Sequence, residues 1–148
     1  MRSGYTRAEA ALVCDVSEKQ VRELSRAGGP VAAALKAASG RGSLVLFDAF
    51  DLVKLAVLGE LAGMLGVDLR GRWVSQTARA LEVMRGGRLD GSVLVLDDQG
   101  ARVSSRSATE GALARSRIVV LVDVADVHER LHARIQSRLG VLSEDLAA

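Results

Sequence analysis

The chain has 148 residues, an apolar fraction of 49% and a formal charge of +2, enough to build a core without staples and too little net charge to demand a polyanionic partner. Its 3% aromatic content argues against the exposed ring platforms on which single-stranded nucleic acids stack, so a nucleic-acid partner would be duplex. Cys14 is the only cysteine, which excludes an intrachain disulfide and points to a reducing compartment, the cytoplasm. Met1 to Gly4 lacks the apolar core of a signal peptide. The most apolar run, Leu52 to Leu65, is interrupted by Lys54 and Glu60 and is too short to cross a membrane.

Tyr5 to Asp15 reads as a first helix, capped by Thr6 with Glu9 three residues on, and with Ala8, Ala11 and Leu12 as its apolar face. Asp15-Val16 is a tight turn into a second helix. Ser17 caps that helix, Gln20 completes a capping box, and Gly28-Gly29-Pro30 stops it. Val21 and Leu24 fall on one side, leaving Lys19, Gln20, Arg22, Glu23 and Arg26 on the others. Such a helix suits a major groove, where Arg reads guanine and Gln reads adenine. An ordinary solvated helix of a small bundle has the same pattern. The helix just upstream favours the first reading, because two short helices joined by so few residues form a helix-turn-helix.

Val31 to Ser39 is alanine-rich and leads into a basic tip, Ser39-Gly40-Arg41-Gly42-Ser43, followed by a strand from Ser43 to Phe47. Asp48 then caps a helix in which Leu52, Leu55, Leu58, Ala62 and Leu65 recur at helical spacing. Gly59 and Gly63 each cost this helix about 1 kcal/mol against alanine unless a neighbour packs closely there. A further helix runs from about Arg70 to Arg85, with Trp73, Ala80, Leu81 and Met84 as buried positions. From Met1 to Phe47 seven basic residues stand against four acidic ones, a local excess that supports phosphate contacts.

Helix, turn, helix, basic loop, strand and helix, in that order, resemble the winged-helix DNA-binding domain of the MerR family from Tyr5 to about Arg72. The matching residues are Tyr5-Thr6, Val16-Ser17, Val21-Arg22, Phe47-Asp48 and Asp51-Leu52. The resemblance implies a bacterial transcription regulator that binds duplex DNA as a homodimer or cooperative array. It implies that Arg22, Lys19 and Gln20 face base edges with Arg26 beside them, and that Ser17 and Arg7 contact phosphates. Lys36 and Arg41 in the wing would grip the flanking backbone or minor groove. Glu23-Leu24 stand where the family has a pair of tyrosines, which removes one phosphate contact, and the wing is longer than usual. The sustained heptads of the family's dimerisation helix are absent.

Gly86 to Gly91 reads as a linker between residues 1–86, the DNA-binding domain, and residues 87–148, a β-β-β-α region. Ser92–Leu96 and Ala101–Ser104 form a hairpin through Asp97-Asp98-Gln99-Gly100, Ile118–Val122 is a third strand, and Ala125 to Leu139 a final helix. The expected class is α+β. The third strand is apolar on both faces, so either a partner chain or the chain's own N-terminal helices must cover it. If this region is the association module, a truncation ending near Arg85 should be monomeric and folded.

The resemblance also fits antitoxins, whose C-terminal segment would bind a toxin. A protein adaptor is a third reading, because Glu18 and Glu23 dilute the charge of the second helix. His128-Glu129-Arg130-Leu131-His132 matches the H-E-x-x-H spacing of zinc hydrolases, with Glu144 as an imaginable third ligand. Against it, Val124, Val127, Leu131, Ile135 and Leu139 form the apolar stripe of that helix with His128 at its edge, and the remaining chain is too small for a substrate cleft. Asp97-Asp98 are more simply turn formers. The expectation is therefore a DNA-binding protein without enzymatic activity, cofactor or metal.

Overall fold

Side chains that satisfy free backbone N–H groups set the starts of the first three helices. In a computed structural model, which describes residues 4–26, 29–31, 35–36, 45–109 and 119–140, Thr6 Oγ1 accepts the Glu9 N–H at 3.2 Å and Glu9 Oε1 accepts the Thr6 N–H at 3.0 Å. This reciprocal box begins α1 (Arg7–Cys14). Ser17 and Gln20 repeat it at 3.0 and 2.8 Å to begin α2 (Glu18–Ser25). Asp48 and Asp51 do so at 2.8 and 3.1 Å to begin α3 (Ala49–Leu65). Each cap is worth about 1 kcal/mol. α1 ends on Asp15 at φ 54°, a left-handed conformation that a short polar side chain tolerates.

The face that α1 buries differs from the expected one. Ala10, Val13 and Cys14 are buried, whereas Ala8 is exposed and Leu12 is 43% exposed. Alanines at positions 8, 10 and 11 allow two apolar stripes, and Cys14, whose Sγ donates to Leu52 O at 3.3 Å, belongs to the buried one.

After α2, β1 (Leu35–Lys36) pairs antiparallel with β2 (Val45–Leu46), Leu35 opposite Leu46. Beside this ribbon, Tyr5 and Phe47 exchange backbone hydrogen bonds of 2.8 and 2.9 Å, and both are fully buried. Ser43 and Leu44 of the expected strand lie outside the described residues.

α3 is the hub, buried on every side from Asp51 to Leu58. A Cβ at Gly59 would stand 2.9 Å from Val16 Cγ1 and 3.2 Å from Cys14 O, so this glycine lets α3 pass directly beneath the α1–α2 turn. α4 (Arg72–Glu82) begins two residues later than expected and buries Val74, Thr77, Ala78 and Leu81. Trp73, Ala80 and Met84 are only half-buried.

Beyond the Gly86–Gly91 turns, β3 (Ser92–Asp97), β4 (Gly100–Ser105) and β5 (Val120–Asp123) form an antiparallel sheet in the order β4-β3-β5, with Leu94 opposite both Val103 and Val122. α5 (Val124–Arg134) follows at once and continues into a π-turn, Ile135–Leu139. Ile118 of the expected third strand lies outside the described residues. Over the described residues the chain is thus an α+β protein with five α-helices.

The sheet packs on α4, and α5 packs on α3 and α1. Leu94, Val122, Val124, Val127, Leu131 and Leu139 consequently share one buried cluster with Tyr5, Val13, Val21, Leu55 and Leu81. Of the two arrangements left open for this region, the chain's own helices cover the Leu94 face of the sheet. Among the described residues no helix is long and apolar enough to cross a membrane.

Candidate nucleic-acid interface

α2 buries a thin edge, Val21 and Leu24, and exposes Lys19, Arg22 and Glu23, with exposed Arg26 as its C-cap. Its principal neighbour is α1. The chain leaving α2 returns at once, Val31 N–H donating to Leu24 O at 2.9 Å.

The expected contact residues fall into separate groups. Ser17, Lys19, Gln20, Arg22 and Arg26 share α2 and its two caps. Ser17 Oγ accepts from the helix, which leaves its own O–H to donate to a phosphate. Arg7 opens α1 and is half-buried, with a covered Nε that has no hydrogen-bond partner among the described residues. Lys36 lies in β1. Arg41 lies outside the described residues.

Gln20 takes part in the start of α2. Its Oε1 accepts the Ser17 N–H at 2.8 Å, and bidentate reading of adenine needs that same oxygen as acceptor and the amide as donor. The oxygen has two lone pairs, and the box gives Gln20 a part in beginning the helix that carries Arg22.

A groove of about 530 Å³ runs beside α2, lined by Glu23, Leu24, Arg26 and Pro30 on one wall and by Leu69, Arg70, Val74 and Ser75 on the other. A smaller hollow of about 140 Å³, lined by Lys19, Gln20, Glu23 and Asp68 to Arg70, lies next to it. The loop between α3 and α4 therefore borders the outer face of α2, and Arg70 joins its cations. Sequence spacing carried no sign of this, since Arg70 was expected simply to begin a helix.

The turn between α1 and α2 is held from the far end of the chain. Arg134 Nε donates to Val13 O at 2.7 Å and Arg138 Nη1 to Leu12 O at 2.6 Å. Both guanidinium groups also pair with Asp15, at 3.6 and 2.8 Å. Arg130, one helical repeat earlier, pairs with Glu60 of α3 and with Asp126. The hydrogen bond to Glu60 is the largest influence holding the Arg130 pKa above the usual guanidinium range. Burial pushes the Cys14 thiol up to about 12, with nearby Arg134 opposing, so the side chain acts as a packed apolar group.

His128 and His132 are both half-buried on α5. His132 Nε2 lies 3.3 Å from Gln136 Nε2, and its Nδ1 is covered without a hydrogen-bond partner among the described residues. Among the described residues no three His, Cys, Asp or Glu side chains gather as a metal would need, and Glu144 lies outside them. Asp97 pairs with Arg102 at 2.9 Å and accepts the Gln99 N–H at 2.9 Å, as a turn former does. No protein-family model matches the chain, and no curated protein matches it.

Proposed function

We propose that the chain is a sequence-specific duplex-DNA-binding transcription regulator, built on a MerR-like winged helix-turn-helix and acting as a dimer or cooperative array in the bacterial cytoplasm. The observation that carries the reading is α2 itself, an eight-residue capped helix that buries only Val21 and Leu24 and presents Lys19 and Arg22 outward with Arg26 at its end. A helix of that size fits a major groove, with α1 bracing it across the backbone. In this reading Arg22 and Lys19 face base edges, Ser17, Arg7 and Arg26 contact phosphates, and Lys36 and Arg41 act as wing residues on the flanking backbone.

Arg22→Ala in the full-length chain tests this. Binding to a duplex selected from a randomised library should weaken by about 1–3 kcal/mol, as loss of a bidentate base contact does, without a change in melting temperature. Unchanged affinity in the folded variant would show that α2 is not the reading helix. Light scattering on free and DNA-bound protein tests the dimer, and a monomer on DNA would remove it.

A further inference from the structure

We infer that Arg134 and Arg138 are positioning residues for DNA recognition, which fasten the α1–α2 turn from α5 and so set the angle at which α2 meets a duplex. This rests on the reading of α2 as the recognition helix. α2 starts four residues after α1 ends, a connection too short to let the helices turn independently, and its main support is α1. Its orientation is therefore inherited from the C-terminal end of α1. That end is where a helix leaves carbonyl groups without intrahelical partners and where its dipole is negative.

Leu12 O and Val13 O are both taken by guanidinium groups that are 126 and 121 residues away in sequence. Asp15, the left-handed residue of the turn, completes the clasp by pairing with the same two arginines. The π-turn spans this point, so that Arg138 reaches Leu12 and Asp15 while its neighbour Leu139 is buried. From beneath, Gly59 allows α3 to press on Val16 and Cys14.

The magnitudes separate positioning from simple stability. Asp15 is 59% exposed and Arg138 37% exposed, and an ion pair so solvated contributes little to folding. Charge-assisted bonds to two fixed carbonyl groups nevertheless define a direction. Side chains that support a contact residue in this way act on its geometry.

Anisotropy titrations of the full chain would test the inference, with the duplex selected from a randomised library and a scrambled duplex of the same composition as probes. Arg138→Ala should lower affinity for the selected duplex about tenfold and leave the scrambled duplex nearly unchanged, and combination with Arg22→Ala should be less than multiplicative. Arg138→Lys, which keeps a cationic donor, should restore most of the loss. Asp15→Asn keeps a residue tolerant of the left-handed turn and should reproduce the loss of discrimination if Arg138→Ala fails to fold.

Equal weakening on both duplexes, or multiplicative effects with Arg22→Ala, would overturn the positioning role while leaving α2 as the reader. If Arg22→Ala is itself without effect, the reading helix is misassigned and the inference falls with it.

Discussion

Arg85 Nη2 lies 2.8 Å from Oδ1 of Asp51, a carboxylate with no exposed surface. The same guanidinium pairs with Asp48, hydrogen-bonds Glu82 Oε1 at 2.6 Å and lies 5.0 Å over the Phe50 ring. Lys54 Nζ sits 2.6 Å from Glu82 Oε2 and 3.8 Å from Asp51. Asp48 and Asp51 thus serve twice, beginning α3 and holding the chain just past α4. Arg85→Ala would take the guanidinium at 2.8 Å away from the buried Asp51 carboxylate and should cost about 2–3 kcal/mol of stability. Arg85→Lys should recover little, because one ammonium cannot fork to three carboxylates. Denaturant titrations measure both, and a loss under about 0.5 kcal/mol, the range of an unremarkable surface substitution, would show that the network does not hold the helices together.

The network carries a pH signature. The hydrogen bond from Arg85 is the largest influence bringing the Glu82 carboxyl down from its ordinary 4.5 to about 2, with Lys54 adding to it against the cost of burial. A depressed folded pKa means that the stabilisation is complete above about 4.5 and disappears as pH falls towards about 2. Glu82 is 45% exposed, so solvent screening limits the contribution to about 1 kcal/mol. Glu82→Gln should therefore melt below the parent at pH 7, and the gap should close between pH 4.5 and 2. A gap independent of pH would exclude the carboxylate charge as its source.

A chain ending after Gly86 should not keep its helical fold. The shared core reverses the expectation of a folded truncation, because the cut removes Leu94, Val122, Val124, Val127, Leu131 and Leu139 from the cluster that contains Val13 and Leu81. Six apolar side chains of this size represent on the order of 10 kcal/mol of burial, comparable with the whole stability of a small domain. Circular dichroism should show no cooperative melt. A sharp transition close to that of the full chain would mean that α1 to α4 fold alone.

Gln20→Ala should cost about 1 kcal/mol of stability through the broken capping box, with little change in base preference. Gln20→Glu, which retains an acceptor at the same position, should restore the stability. A switch in the preferred base at one position of the selected duplex, with stability unaltered, would place Gln20 at the base edges.

Local chemistry was legible in the sequence wherever donor and acceptor lie three residues apart, which is why Thr6, Ser17 and Asp48 could be identified as caps. The apolar stripe of α5 was legible for the same reason, since one amphipathic period suffices. The buried side of α1 was not, because its alanines fit two stripes and a distant contact at Leu52 accompanies the one chosen. β1 left no signature, being two residues whose pairing depends on Val45 and Leu46.

Lys54 looked like an interruption of an apolar run, but it is buried and paired with Glu82. The signal that could have found the network is the three-residue spacing of Asp48, Asp51 and Lys54, which places them on one face. At the candidate interface, the basic face of α2 was readable from helical spacing. The clasp on its supporting turn was announced only by the four-residue rhythm of Arg130, Arg134 and Arg138, whose partners sequence alone does not name.

That clasp also fixes an order of events during synthesis. α1 and the turn after it leave the ribosome well before the groups that occupy Leu12 O and Val13 O, which follow 121 residues or more behind. Closing so long a loop carries an entropic cost that local contacts do not. The proposed reading helix thus waits until α5 has been made to acquire its final seat, and a chain stalled before Arg134 carries α2 without the restraint that orients it.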